Sequence, residues 1–253
     1  MAEVKQLVVI VGATGSMGKV ISARLQSTHL GVIAVGRSEA ALGALARAVP
    51  GLRPCVADVA SDQAIDAIRR HVDRPVRMVV HAAGLPASAM GSLLKVPTAA
   101  VAESFEIKVG GMIRLVRAVD EHLVAGSRLV AIAGHLGLEP TAQAANPGVA
   151  NAALVNLMRQ YSLLYGKRGV SAHVIAPGPT ETERLGRAIA SRAAAAGITE
   201  AALRDEMRKE SPFNAIATSE QVAWAVALLL APEAEVITGS TLALDYGRRH
   251  GLP

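Results

Sequence analysis

The chain has 253 residues and a formal net charge of +5; it is 51% hydrophobic and 19% charged, a balance that excludes a disordered chain. Two Phe, one Trp and three Tyr leave the core to Ala, Val, Leu and Ile, and the single Cys55 excludes an intrachain disulfide and points to a reducing compartment. Lys and Arg are scattered and not interleaved with aromatics, so no nucleic acid is expected as a partner.

The opening segment Met1–Gln6, with Glu3 and Lys5, has no signal-peptide pattern. No apolar run approaches the roughly 20 residues of a membrane helix. A cytoplasmic chain without a membrane partner is expected. Short aliphatic runs then alternate with amphipathic stretches. Strands are expected at Leu7–Val11, Val32–Val35, Leu52–Val56, Val76–Val80, Arg128–Ala133, Val170–Ala176 and Ser240–Leu244. Helices are expected at Met17–Gln26, Glu39–Ala48, Asp62–His71, Ala99–Val124, Asn151–Tyr165 and Ser219–Leu230. Such alternation with short connections predicts an α/β fold: one Rossmann-type doubly wound parallel sheet of about seven strands, covered by helices on both faces. No linker or repeat divides the chain, so residues 1–253 read as a single domain. Residues 179–211 interrupt the rhythm with two helical pieces, Thr182–Ala196 and Glu200–Lys209; these form either a lid over a substrate pocket or an ordinary surface pair. Arg248-Arg249-His250, the densest basic patch, reads as a solvated terminus.

The first strand runs into Gly12-Ala13-Thr14-Gly15-Ser16-Met17-Gly18 and then a helix. Glycines there permit a tight turn and close approach to a pyrophosphate, which the helix start attracts with unpaired N–H groups. The second strand ends at Gly36-Arg37-Ser38, with no carboxylate from Val35 to Ser38. A carboxylate there holds the ribose hydroxyls of NAD, whereas Arg accommodates the 2′-phosphate of NADP, so NADP(H) is expected over NAD(H). A cation is also poorly placed at a helix start unless a ligand phosphate balances it.

Further segments resemble the short-chain dehydrogenase/reductase family over essentially the whole chain. Asp58-Val59 resembles the adenine-contacting Asp-Val after the third strand, and His81-Ala82-Ala83-Gly84 the Asn-Asn-Ala-Gly after the fourth. Pro177-Gly178-Pro179-Thr180-Glu181-Thr182 is similar to the segment bordering the nicotinamide, and Asp245-Tyr246-Gly247 to the closing Asp-Gly-Gly. The glycine spacing resembles that of the extended members of the family. The resemblance implies cofactor contacts from Gly12, Thr14, Gly15, Ser16, Met17, Gly18, Arg37, Ser38, Asp58, Val59, Ala82, Ala83, Gly84, Pro177, Gly178, Thr180 and Thr182. It also implies a small-molecule substrate, no metal, and a homo-oligomer, tetramer or dimer.

The family reduces carbonyls with a Tyr acid, a Lys four residues on, a Ser and an Asn. Hydride delivery creates an oxyanion that needs a proton, and residues four apart share a helix face. Here Pro147 stands at the Tyr position, Asn151 at the Lys, Gly134 at the Ser and Lys108 at the Asn. No Tyr-x-x-x-Lys occurs in the chain. His135, at the end of a central strand, is an acid or base candidate, or a packing histidine. Lys108 is either a desolvated base or a structural residue paired with Glu106 or a phosphate. Asn151 is expected to hydrogen-bond the nicotinamide ribose; His81 and His173 read as structural. Along the helix around Asn151, Leu154, Leu157, Met158 and Tyr161 form a stripe that is either core or interface. Three functions remain open: an oxidoreductase with a rewired acid, a non-redox lyase, isomerase or cyclase, and a catalytically silent NADP(H)-binding regulator.

Overall fold

The computed structural model describes residues 5–142 and 144–251, so the Met1–Val4 part of the opening segment lies outside the described residues. Seven parallel strands form the main sheet: β1 (Leu7–Val11), β2 (Gly31–Gly36), β3 (Arg53–Val56), β4 (Val76–His81), β5 (Leu123–Ile132), β6 (Ser171–Pro177) and, after two short strands, β9 (Thr241–Leu244). Their order is β3-β2-β1-β4-β5-β6-β9. The chain winds outward from β1 in one direction and from β4 in the other, so the strand order reverses between them. A crevice opens there at the carboxyl edge.

The aliphatic runs are strands because they are buried on both faces. Val8 and Ile10 of β1 point to one layer, with Ile21 and Leu25 of α1 (Ser16–Gln26), Leu42 of α2 (Glu39–Ala48) and Val226 of α9 (Ser219–Leu228). Leu7, Val9 and Val11 point to the other, with Ile68 of α3 (Gln63–Arg69), Leu115 of α5 (Gly111–Val119) and Met158 of α6 (Ala145–Tyr165). Leu154 and Tyr161 join Met158 in this core, which settles that stripe as interior. Among the described residues no helix is long and apolar enough to cross a membrane.

Two helices depart from the sequence expectation. The single helix over Ala99–Val124 is broken into α4 (Thr98–Phe105), a π-helical turn (Glu106–Gly110) and α5, which ends at Val119. The π turn places Lys108 inward and ends at the Gly110-Gly111 pair, where Gly111 lies so close to His81 that a Cβ would stand 2.8 Å from its Nε2. Leu123 and Val124 belong instead to β5, whose register shifts between Leu123 and Arg128, a stretch that includes Gly126 at φ +87, a conformation glycine adopts without strain. The helix expected to start at Asn151 begins at Ala145, with Pro147 inside its first turn, where no N–H partner is lost.

The interruption of the rhythm is a helix pair, α7 (Glu183–Ala196) and α8 (Glu200–Lys209), with its own small core of Ile189, Ala193, Leu203, Met207 and Ile216. Thr182 and Thr199 cap the two helices, and Gly197 ends the first at φ +66. Parallel pairing of β7 (Thr180–Glu181) with β8 (Ala217–Thr218) closes its base at the carboxyl edge.

Two buried basic residues need individual accounting. Arg128 of β5 is fully buried; it donates to the Leu229, Ala231 and Gly126 carbonyls and pairs with Glu235 at 3.2 Å. It thereby satisfies carbonyls left open beyond the end of α9. His81 is fully buried with neither ring nitrogen hydrogen-bonded, and burial, reinforced by the nearby Lys108 charge, holds its pKa at about 3. The unfolded chain therefore takes up a proton below about 6.5 that the folded chain refuses, so stability falls as pH drops from there towards 3. In urea unfolding compared at pH 7 and pH 5, His81→Asn is expected to lose about 2 kcal/mol less stability than the parent. An equal loss in both would place the acid sensitivity elsewhere.

Candidate active site

The Gly12 turn is built for close backbone approach. Gly12 sits at φ +75, and a Cβ there would fall 2.7 Å from the Ala83 amide and 2.8 Å from the Ala82 carbonyl. A Cβ on Gly18 would stand 2.1 Å from the Gly12 oxygen, so the first turn of α1 lies directly on the loop. Gly15 caps α1 without any side-chain acceptor, which leaves the first-turn amides of α1 without a capping partner at the positive helix end. Thr14 lies beside Gly36 at the end of β2, its Oγ1 being 3.4 Å from where a Gly36 Cβ would stand.

Arg37 follows β2, exposed, and lines an open groove of about 330 Å³ with Asp58, Ser61, Gln63 and Arg70. Ser38 caps α2, its Oγ accepting from the Ala41 amide at 3.2 Å, so its own proton stays available to an acceptor. Asp58 accepts from the Ala60 amide at 3.1 Å, and Val59 is buried beside Gly111. Ala82, Ala83 and Gly84 form the facing lip beyond β4, tied to β1 by the Ala82 amide donating to the Val11 carbonyl at 2.9 Å.

The reaction end lies beyond β5 and β6. Gly134 follows β5, and a Cβ on it would stand 3.0 Å from Nδ2 of Asn151. The Asn151 amide thus fills the space beside position 134 that a serine side chain would enter. Gly137 packs on the same helix turn so closely that its Cβ would meet Asn151 Cβ at 2.8 Å, and this fixes the asparagine backbone. Asn151 is buried and its Oδ1 has no partner. Pro147, buried one turn earlier, contributes no polar atom.

Lys108 is buried, and its Nζ donates to the Ile132 carbonyl at 2.8 Å, two residues before Gly134. Burial first, then the Arg184 charge, lowers its pKa to about 8. Of the alternatives left open for Lys108, pairing with Glu106 is not made: Glu106 bonds Arg114 at 2.8 Å, because its place on the π turn faces outward while Lys108 faces in. His135 is partly buried in a short 3₁₀ turn beside the Pro177 carbonyl. Burial, with the Arg248 charge second, depresses its pKa, so it is neutral at pH 7.

Pro177 and Gly178 end β6, the Gly178 amide donating to the Leu244 carbonyl at 3.0 Å. Thr180 is buried and donates to the Gly178 carbonyl. Thr182 uses its hydroxyl twice, donating to the Thr180 carbonyl and accepting from the Leu185 amide. The tail is only in part the solvated terminus expected from its charge: His250 is exposed, whereas Arg248 is largely shielded. Arg248 donates to the Met207 carbonyl of α8 and pairs with Glu210, while His250 pairs with Glu139 at 3.2 Å, just beyond the His135 turn. Sequence reasoning missed this bracing because the partners lie more than 30 residues away. It missed Arg184 too, an exposed residue whose bond to the Leu85 carbonyl only the fold reveals.

A family model described as enoyl-(acyl carrier protein) reductase matches residues 12–249. The 3-oxoacyl-(acyl-carrier-protein) reductase MabA of Mycobacterium avium is 25% identical over 255 residues, covering 99% of this chain and 92% of that protein. The short-chain reductase protein NovJ of Streptomyces niveus is 26% identical over 258 residues, covering 96% of this chain and 94% of that one. Among solved structures, a variant of the actinorhodin polyketide ketoreductase with NADPH superposes with a TM-score of 0.89 at 23% identity, covering 98% of this chain and 99% of that one. L-Sorbose reductase from Gluconobacter frateurii, complexed with NADPH and L-sorbose, gives 0.88 at 18% identity, with 98% of each chain covered. The sheet order, the glycine turn and the match over nearly the whole length agree: the chain belongs to the short-chain dehydrogenase/reductase family.

Proposed function

We propose that the chain is an NADP(H)-dependent oxidoreductase that reduces a small activated organic substrate without the family's tyrosine acid. One observation carries the reading: the nucleotide cradle is closely built, while the space beside the empty serine position is refilled by the Asn151 amide. The cradle fits the cofactor, since Gly12 and Gly18 have no room for a Cβ and the start of α1 is uncapped. In this reading Gly12 to Gly18 hold the pyrophosphate, Asp58 and Val59 the adenine, and Ala82–Gly84 with Pro177, Gly178, Thr180 and Thr182 border the nicotinamide. Arg37 and Ser38, with no carboxylate beside them, favour a 2′-phosphate, and the NADPH named with the two solved relatives supports the same choice.

The cofactor, when bound, supplies the hydride. The protein's part is to steady the oxygen or nitrogen that gains electrons and to deliver a proton. Asn151 Nδ2 donates to that atom in place of a serine, and Lys108, still protonated at neutral pH, provides the cation and proton reserve below it. Enones, iminium ions and quinones suit this arrangement because they need less acid assistance than plain ketones. The helix pair over the carboxyl edge serves as the lid that excludes water. A homo-oligomer, tetramer or dimer, belongs to the same reading; exposed Leu163 and Leu164 on α6, 71% and 68% accessible, and Trp224 on α9 support it. A second reading, a non-redox isomerase or lyase, is favoured by His135 alone, whose lowered pKa leaves a neutral base beside the site.

Following NADPH absorbance with ketone, enone and iminium substrates is expected to show turnover with the last two; tight NADPH binding with no hydride transfer to any of them would sink the oxidoreductase reading. Arg37→Ala is expected to weaken NADPH binding by roughly 10- to 100-fold while leaving NADH nearly unchanged, as measured by fluorescence titration.

For the proton supply, reduction should slow as pH rises through about 8, where Lys108 gives up its proton. Lys108→Met should abolish that alkaline limb, and Asn151→Ala should lower kcat by roughly a hundredfold with KM less affected. A limb retained in the Lys108 variant would remove Lys108 from proton delivery.

A further inference from the structure

Arg184 is the second residue of α7; though exposed, its side chain reaches off the helix to the lip beyond β4. Its Nη1 donates to the Leu85 carbonyl at 2.8 Å, a partly shielded bond that crosses from the helix pair to the lip beyond β4. The same nitrogen lies 3.4 Å from where a Cβ on Gly84 would stand. Gly84 ends the Ala82–Gly84 lip, against which the Gly12 turn is packed. The guanidinium therefore stands beside the seam between the two strand ends where the crevice opens.

By local criteria this is a poor place for an arginine. The N-terminal end of a helix carries positive potential, which disfavours a cation and attracts an anion. Of the four other arginines of the helix pair, three have carboxylate partners, Arg187 with Glu183, Arg204 with Glu181 and Arg208 with Asp205, and Arg192 has none among the described residues. Arg184 has one neutral carbonyl and, among the described residues, no carboxylate. The charged groups acting on it or feeling it are themselves cations, Arg187 on its own helix and Lys108 from the π turn. Its pKa is lowered by burial first and by Arg187 second. The remaining N–H groups of its planar fork are matched to a pair of oxyanion oxygens.

We propose that Arg184 is the anion anchor of this site, reaching from the helix pair to take two oxygens of a phosphate or carboxylate in the crevice beside Gly84. The inference rests on the nucleotide-binding reading above and adds a ligand to it. Two sources share this chemistry: the pyrophosphate of the cofactor, and an acidic group on the substrate, which would make the substrate a carboxylate or phosphate ester.

The full-length chain, its Arg184→Gln variant and its Arg184→Lys variant are to be titrated calorimetrically with NADPH, with inorganic pyrophosphate, with 2′,5′-ADP and, in the presence of saturating NADPH, with a series of short carboxylates. Circular dichroism and thermal melts check that each variant is folded. If the cofactor is the source, Arg184→Gln weakens NADPH and pyrophosphate by roughly 10- to 100-fold and 2′,5′-ADP, which lacks the pyrophosphate bridge, much less. If the substrate is the source, NADPH affinity is unchanged and carboxylate binding to the NADPH complex is lost. In either case Arg184→Lys restores only part, because an ammonium lacks the fork. Unchanged binding of every probe by folded Arg184→Gln, or no binding of any probe by the parent, overturns the proposal. Pyrophosphate binding that depends on Arg184 in a parent chain that binds no NADPH would uphold the anchor and reject the nucleotide reading.

Discussion

The carboxyl edge of the sheet is organised by one backbone contact, the Gly12 turn lying against Ala82 and Ala83 with no space for a side chain between them. That contact sets how closely the end of β1 approaches the end of β4, and so the shape of the crevice at the strand reversal. It also fixes α1, because Gly18 rests on the Gly12 oxygen. Move either glycine and the uncapped start of α1 shifts against the turn. The lip that receives Gly12 continues to Gly84 and Leu85, where Arg184 arrives from the opposite wall. Nucleotide cradle, lip and helix pair are thus linked through a few residues of main chain.

Beyond the end of β5, Gly134, Pro147 and Asn151 fit together as a set. A serine at 134 and an asparagine at 151 would compete for one volume; glycine and asparagine share it. Pro147 belongs to the same set, since a helix that starts at Ala145 accepts proline in its first turn. Lys108 is turned inward by a π turn, which shifts the residues after it relative to a regular helix and lets its ammonium reach the Ile132 carbonyl. Burying an amine with a single carbonyl partner is costly, and the fold accepts it along with an unpaired Asn151 oxygen and an unpaired His81 ring. The Asn151 oxygen and the Lys108 amine both lie at the carboxyl end of β5, whereas the His81 ring is fully enclosed.

Charge tells the same story from a different direction. Lys108, Arg184, Arg248 and His135 surround the cleft or its brace, whereas the nearby carboxylates Glu139 and Glu210 are already engaged by the tail. Burial first, and then the Arg184 charge for Lys108 and the Arg248 charge for His135, makes both easier to deprotonate than in water. An anion entering the cleft would relieve the repulsion from those two arginines.

Much of this was legible in the sequence. Aliphatic runs with period-breaking glycines gave the strands, since a parallel strand buried on both faces has to be apolar throughout, as Leu7–Val11 is. The glycine turn could be read because its geometry lies within a few neighbouring residues. The missing Tyr-x-x-x-Lys was a matter of residue identity alone. Only the tertiary structure decided what replaced it. That Asn151 fills the space beside Gly134, that Lys108 bonds Ile132 and not Glu106, and that Arg184 leans on Leu85 are contacts between residues 17, 24 and 99 positions apart. Local pattern carries no information about such pairs; they exist because β4, β5, β6 and the helix pair end at one edge, where packing rather than propensity selects each side chain's neighbour.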